Sequence, residues 1–252
     1  MRKMRFLVVA LIAVFGISAV AFAQQNAYTV TAKVPAGGSK KKPKAGGFTF
    51  NFTISDPAGN IPQIIKTYSL GITGSQVNTK VAKTCTAASI NAAQSDSGCT
   101  SKAKIGSGSV TAVIGTAGQP LSSKAGDCGL NLTIWNGGKN KAALFLEGGT
   151  GKPGVPACPA PISQAIDAKW VKKDGGTALV FEVPDALRHP VPGLDVSVVS
   201  TKSTLKKITK KIKGKKRGYF ESIGCKGTRS VTATFTDESG TATPVSATAG
   251  KC

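Results

Sequence analysis

Apolar residues recur at every second position in segment after segment of this chain, and no other feature restricts the fold as much. Tyr28, Val30, Ala32 and Val34 alternate with Thr29, Thr31 and Lys33, and Phe48, Phe50, Phe52 and Ile54 alternate with Thr49, Asn51, Thr53 and Ser55. The pattern returns in Leu130, Leu132 and Ile134, in Leu179, Phe181 and Val183, and in Val231, Ala233 and Phe235. In extended backbone successive side chains point to opposite faces, so each segment is a strand with one face toward a core and one toward water. Turn-forming stretches separate them: Asp56-Pro57-Ala58-Gly59-Asn60, Asn136-Gly137-Gly138-Lys139-Asn140, Asp174-Gly175-Gly176 and Asp237-Glu238-Ser239-Gly240. Several of these read as β-hairpin turns. Residues 86–93 have room for two turns of helix, and no longer helical stretch is present. The expectation is an all-β fold, an antiparallel β-sandwich of jelly-roll or immunoglobulin-like type, with at most one short helix near residues 86–93.

The N-terminus has the form of a secretory leader. Arg2, Lys3 and Arg5 precede an apolar run from Phe6 to Ala19, and Ala21-Phe22-Ala23 is an A-x-A cleavage signal. The apolar run is shorter than the ~20 residues that a bilayer span needs, so a signal peptide over residues 1–23 is expected rather than a membrane anchor. The mature chain, residues 24–252, then reads as one domain, with a division into two smaller sandwiches near residues 148–161 as the alternative. In an exported chain the even cysteine count argues for three disulfides among Cys85, Cys99, Cys128, Cys158, Cys225 and Cys252. Six cysteines allow 15 connectivities. Pairing of nearest neighbours in sequence is expected here.

Catalytic chemistry has little to work with. The chain has one His and 12 Asp plus Glu against 33 Lys plus Arg. That lone His189 lies in the proline-restricted segment Arg188-His189-Pro190-Val191-Pro192, with no Gly-x-Ser-x-Gly elbow anywhere, and reads as a loop residue. Gly148-Gly149-Thr150-Gly151-Lys152 lacks the glycine spacing of a phosphate loop, and Pro153 stands where a metal-holding Ser or Thr belongs. Gly106-Ser107-Gly108 reads as a flexible start to a strand. Asp237 and Glu238 are adjacent in a turn and are expected to be solvated. Trp135 and Trp170 lie in apolar runs and read as core. No metal or cofactor is indicated, and no catalytic residue is assigned. A carbohydrate-active enzyme assembled from distant carboxylates such as Glu147, Glu182 and Glu221 is one alternative. An apolar-ligand carrier, which would need a large dry cavity between the sheets, is another.

Positive charge is the feature that rises above background. Lys206, Lys207, Lys210, Lys211, Lys213, Lys215, Lys216 and Arg217 form one acid-free cluster, and Lys40, Lys41, Lys42 and Lys44 form a second. Leu205, Ile208 and Ile212 have the spacing of a short basic amphipathic helix, but flanking strand patterns favour a strand followed by a Lys-rich hairpin loop. Such clusters attract polyanions through counterion release. The expected partners are anionic cell-wall polymers, acidic polysaccharides or anionic lipid surfaces. Sequence-specific nucleic-acid binding is not expected, since no helix-turn-helix, zinc finger or aromatic RNA-binding motif is present. The whole reads as a secreted or cell-surface, non-catalytic protein that is not integral to a membrane.

The order Lys40-Lys41-Lys42-Pro43-Lys44, a Phe-rich strand, Asn78-Thr79-Lys80, Cys85-Thr86-Ala87-Ala88, and Cys99 ahead of Lys104-Ile105-Gly106-Ser107-Gly108-Ser109 resembles a family of exported, cysteine-containing actinobacterial β-rich proteins of unknown function. Gly218-Tyr219-Phe220, Cys225-Lys226-Gly227, a Thr-alternating strand and the final Cys252 extend the resemblance over roughly residues 34–252. Thr100 stands where that family usually has Pro after its second Cys, and Asp237-Glu238-Ser239-Gly240 replaces an aromatic-Asp-Gly turn. The resemblance implies an exported β-rich fold and supplies no catalytic residue.

Overall fold

The computed structural model describes residues 26–252, so the leader expected over residues 1–23 lies outside the described residues. The first half of the chain forms β1 (Ala27–Lys33), β2 (Lys44–Gly46), β3 (Phe48–Ser55), β4 (Ile65–Thr73), β5 (Ser75–Val77), helix α1 (Ala87–Ala93), β6 (Lys104–Gly115) and β7 (Gly126–Gly138). Then come β8 (Lys141–Gly148), β9 (Ile162–Lys173), β10 (Gly176–Glu182), helix α2 (Asp185–Arg188) and β11 (Asp195–Leu205). The chain ends with β12 (Thr209–Ile212), β13 (Lys215–Gly218), β14 (Phe220–Ser222), β15 (Thr228–Asp237) and β16 (Ala242–Lys251).

Eleven strands make one antiparallel sheet in the order β1-β3-β11-β6-β7-β8-β9-β10-β4-β15-β16. Right-handed twist accumulates over so many strands until the sheet curls. Its two edges meet: Val34 N–H donates to the Ala249 carbonyl at 3.4 Å and Gly37 N–H to that of Cys252 at 2.7 Å. The all-β antiparallel fold is therefore built as a near-barrel, and the two faces expected of a sandwich are opposite walls of a single sheet. Residues 149–161 join β8 to β9, which pair directly from Lys141↔Lys169 to Gly148↔Ile162.

The inward side chains come from the alternating positions, among them Phe50, Phe52, Leu132, Leu144, Ile166 and Leu179, all buried. Where the alternation slips, a β-bulge restores it. In β11 the register shifts between Val198 and Ser200, so the inward set changes from Val196 and Val198 to Thr201, Ser203 and Leu205. Along β8 the run Ala142 to Leu146 is buried on both faces. Its outer face, with Ala143 and Phe145, joins Trp135 and Ala165 under Ala87 and Ile90 of α1. Helix α1 lies where the sequence places it, its first turn capped by the Thr86 hydroxyl, which accepts from Ser89 N–H. Helix α2, only four residues long, was not anticipated.

Turn chemistry explains the tight hairpins. Asp174 and Gly175 adopt φ of 48° and 67° between β9 and β10, and Lys213 and Gly214 adopt 49° and 75° between β12 and β13, as primed hairpin turns require. Asp56–Asn60 is a turn but not a hairpin: β3 is flanked by β1 and β11, whereas β4 lies between β10 and β15.

Each cysteine pairs with its neighbour in sequence: Cys85–Cys99, Cys128–Cys158 and Cys225–Cys252. The first closes the segment that contains α1, the second pins the 149–161 loop to β7, and the third ties the last residues to the loop before β15. Replacing Cys85 and Cys99 together by Ala is expected to lower unfolding free energy by about 3 kcal/mol, the chain-entropy value for a loop of this size. Equilibrium urea unfolding checks this, and non-reducing peptide mapping is expected to yield the three neighbour-linked peptides.

Candidate functional site

The two ends of the barrel differ in structure and in charge. One end, the floor, is sealed by the small sheet β2-β14-β5. Tyr219 and Phe220 at its centre are fully buried. Phe220 packs on Phe48 with centroids 4.5 Å apart. The Trp170 indole N–H donates to the Tyr219 hydroxyl at 3.1 Å, which in turn donates to Asn136 Oδ1 at 3.4 Å. Asn136 Nδ2 reaches the carbonyls of Thr79, Ala82 and Lys83 and holds that loop against the floor. Trp135 and Trp170 are thus both core, as expected from their strands.

The two lysine clusters meet at this end. Residues 206–217 are a strand-and-hairpin segment and not a helix: β12 pairs with β13 from Thr209↔Gly218 to Ile212↔Lys215. Ile208 and Ile212 pack toward the core, leaving Lys206, Lys207, Lys210, Lys211, Lys213, Lys215 and Lys216 exposed. The segment with Lys40, Lys41, Lys42 and Lys44 leads into β2, which pairs with β14. Gly47 lies on the backbone of Leu205 to Lys207, and Gly218 lies on Ala45. Gly38, at φ +87°, packs so closely that a Cβ would strike the Ser222 carbonyl. Buried Arg229 secures the same loop by donating to the Pro35 carbonyl at 3.2 Å and to Ser222 Oγ at 2.6 Å.

Like charges stand directly opposite each other on the hairpin, Lys210 across from Arg217 and Lys211 across from Lys216. Cross-strand pairs of this kind are destabilising unless an anion is shared. The chain supplies one, Glu221, which is buried on β14. It accepts from Arg217 Nε at 3.0 Å and Nη2 at 2.8 Å, from Gly218 N–H at 2.8 Å and from Gln76 Nε2 at 2.7 Å. Burial pushes its carboxyl group up, but the bonds from Arg217, Gly218 and Gln76 outweigh burial and hold it below the ordinary carboxylate range. The lysines themselves have no ion-pair partner among the described residues.

The opposite end, the rim, carries most of the acids. Asp56, Asp127, Glu147, Glu182, Asp185, Asp195, Asp237 and Glu238 all lie in strand ends or turns on that side. Its cations Lys66, Lys124, Lys152 and Arg188 are each paired with one of these acids. Glu147 and Glu182 thus sit at the rim on outward positions of β8 and β10, and Glu221 lies at the floor, so these three carboxylates do not face one another. Lys152, the cation of the glycine-rich loop, bonds Glu147 at 2.7 Å.

A cluster that no local sequence pattern signals lies at the rim. His189 contacts Asp195 through Nδ1 at 3.0 Å and Glu238 through Nε2 at 2.8 Å. Arg188 contacts Glu238, bonds Asp185 at 3.0 Å and donates from Nε to the Val183 carbonyl at 3.1 Å. Asp185, His189 and Glu238 have metal-ligand atoms within 4.8 Å of one another, but the Arg188 guanidinium occupies the same carboxylates and opposes a second cation there. Nearly 50 residues separate His189 from Glu238 in sequence, and only the placement of β15 beside β4 brings them together.

Between floor and rim lies an apolar cavity of about 110 Å³, against the ~10–15 Å³ that a single water needs. Phe50, Leu132, Leu144, Ile166, Leu179 and Leu205 are among its walls, and Leu187 and Arg188 of α2 reach it from the rim. No helix among the described residues is long and apolar enough to cross a membrane. No family model matches the chain, and no curated protein sequence is significantly similar to it.

Replacing Glu221 by Gln is expected to cost about 2–3 kcal/mol at neutral pH, because Arg217 and the Gly218 amide lose a buried, charge-assisted acceptor. A carboxyl group whose folded pKa is depressed stabilises fully above its unfolded value, here 4.5, and loses that contribution as pH falls through the lower folded value. Urea midpoints of wild type and Glu221→Gln should therefore differ at pH 7 and converge in strong acid.

Proposed function

We propose that this is an exported, non-catalytic binding protein that docks on anionic polymer through the floor of its barrel. The observation that carries the reading is the meeting of the two lysine clusters on one end, with a single buried carboxylate, Glu221, among them. Most acids and their paired cations lie at the other end, so the net positive charge of the sequence is weighted toward the floor. Neutralising several phosphates or carboxylates on such a face releases condensed counterions and makes binding steeply salt-dependent. The like-charge pairs of the β12–β13 hairpin gain most, since a bound anion replaces mutual repulsion with attraction. Wall polymers of teichoic type, acidic polysaccharides and anionic lipid head groups share this chemistry. The leader pattern and the three disulfides support a place outside the cytoplasm.

Retention on phosphocellulose and on purified bacterial cell wall is the test. Elution salt is expected to drop markedly when Lys210, Lys211, Lys215 and Lys216 are changed together to Gln. Changing Lys66, Lys124 and Lys152 to Gln at the rim should leave it nearly unchanged. Salt-independent retention, or equal losses from the two sets, would overturn the reading.

A further inference from the structure

We propose that the barrel interior is a binding site for an uncharged, single-chain apolar molecule carrying one oxygen, a hydroxyl or carbonyl, that pairs with the Tyr68 hydroxyl. This rests on the lumen and its rim and is independent of the basic floor.

Tyr68 lies on β4 with its side chain lining the cavity, and it is 2% exposed. Its hydroxyl has no hydrogen-bond partner among the described residues. Most buried polar groups in folded proteins are paired, and an orphaned hydroxyl is costly, so one facing a cavity points to a missing partner. The ring is held and cannot swing away to find one. It stacks on Phe181 with centroids 5.0 Å apart and 6° between planes, and Phe52 and Phe235 pack at 5.7 and 5.8 Å. A phenylalanine would satisfy all three ring contacts. Packing therefore gives no reason for the oxygen.

The remaining polar groups of the lining are the Trp170 indole N–H, which is bonded to Tyr219, the hydroxyls of Thr201 and Ser203, and Arg188, and they define what else the occupant must be. Ser203 donates to the Phe50 carbonyl at 2.7 Å and is spent within the wall. Arg188 is the only charged residue of the lining, and its guanidinium is already committed to Asp185, Glu238 and the Val183 carbonyl. No cation is left to receive an anionic head group, and the carboxylates of the rim repel one. The walls offer aliphatic and aromatic carbon from Phe48 and Leu205 near the floor to Leu187 under the rim. An elongated neutral molecule matches that lining. An apolar cavity binds such a molecule because its walls offer water few hydrogen bonds and little is lost when water is displaced.

The way in is at the rim. Tyr219 and Phe220 seal the floor with buried packing and hydrogen bonds. Helix α2 closes the other end with one turn, held mainly by the side-chain pairs of Arg188. Those pairs can exchange with water, so α2 is the element that must yield for a ligand to pass.

The test uses the folded protein and the neutral fluorophore N-phenyl-1-naphthylamine, whose emission rises in apolar surroundings, with 1-decanol and decanoate as competitors at pH 8. Wild type is expected to take up the fluorophore and release it to 1-decanol, and decanoate should compete at least tenfold more weakly. Measured against n-decane as a reference competitor, 1-decanol should release the fluorophore from Tyr68→Phe about 2- to 12-fold less readily than from wild type, the range for one neutral hydrogen bond. Leu132→Trp, which fills the lumen, should abolish uptake, with Leu144→Phe as a milder variant should the first fail to fold. The Lys210, Lys211, Lys215 and Lys216 to Gln variant should behave as wild type. Absence of fluorophore uptake by wild type would overturn the cavity as a site. Unchanged 1-decanol competition in Tyr68→Phe would overturn the role of the hydroxyl, and competition by decanoate equal to that of 1-decanol would overturn the neutral ligand class.

Discussion

An antiparallel sheet with one apolar face must cover that face, and this chain has almost nothing to cover it with except more of the same sheet. The two α-helices among the described residues are short, and α1 is occupied on the outer surface, where it covers Trp135 and Phe145. The inward face is therefore buried by curling until β1 approaches β16, so that Phe52 on one wall meets Tyr68 and Phe235 across the interior. Every other feature follows from that closure. A closed sheet has two ends, the ends must be plugged, and the plugs are where the chain departs from regular alternation.

The plugs are also where the charges are sorted. Because neighbouring strands are antiparallel, each connection emerges at one end or the other, and a residue's place in its connection decides which end receives its charge. The loop before β2, the β12–β13 hairpin and the loop after β5 all emerge at the floor and bring lysines with them. The turns after β3, β10 and β15 emerge at the rim and bring Asp56, Asp185 and Glu238. Net charge becomes a polarity along the barrel axis. Glu221 is the exception that makes the floor workable, since it neutralises Arg217 where the hairpin meets the barrel and leaves the outer lysines unpaired.

A barrel packed by alternating side chains can be filled or hollow, and the choice depends on small residues as much as on large ones. Ala112 and Ala168 face inward beside Leu and Phe, and Thr201 and Ser203 enter the lining after the β11 bulge. These positions leave the space that Tyr68 faces. The basic floor and the hollow interior are separate properties, one made by loops and the other by inward strand positions, and Tyr219 and Phe220 stand between them.

Much of this was written into the order of residues. Alternation in β1, β3, β7, β10 and β15, the cap at Thr86 and the glycine turns at Asp174 and Lys213 are local, and local geometry follows from side-chain period and backbone preference. The burial of both tryptophans was legible for the same reason. Sequence could not show that the strands close into one sheet, because closure depends on which strands pair, and β3 pairs with β11 across well over a hundred residues. For that reason it also could not place Lys44 beside the β13–β14 segment, bring His189 to Glu238, or show that Glu147, Glu182 and Glu221 fall at different ends. The sequence by itself determined strands, an even set of six cysteines able to form three staples, and an excess of lysine. Only the tertiary structure decided that the lysines form one face and that Tyr68 looks into a cavity, because both depend on contacts between segments far apart along the chain.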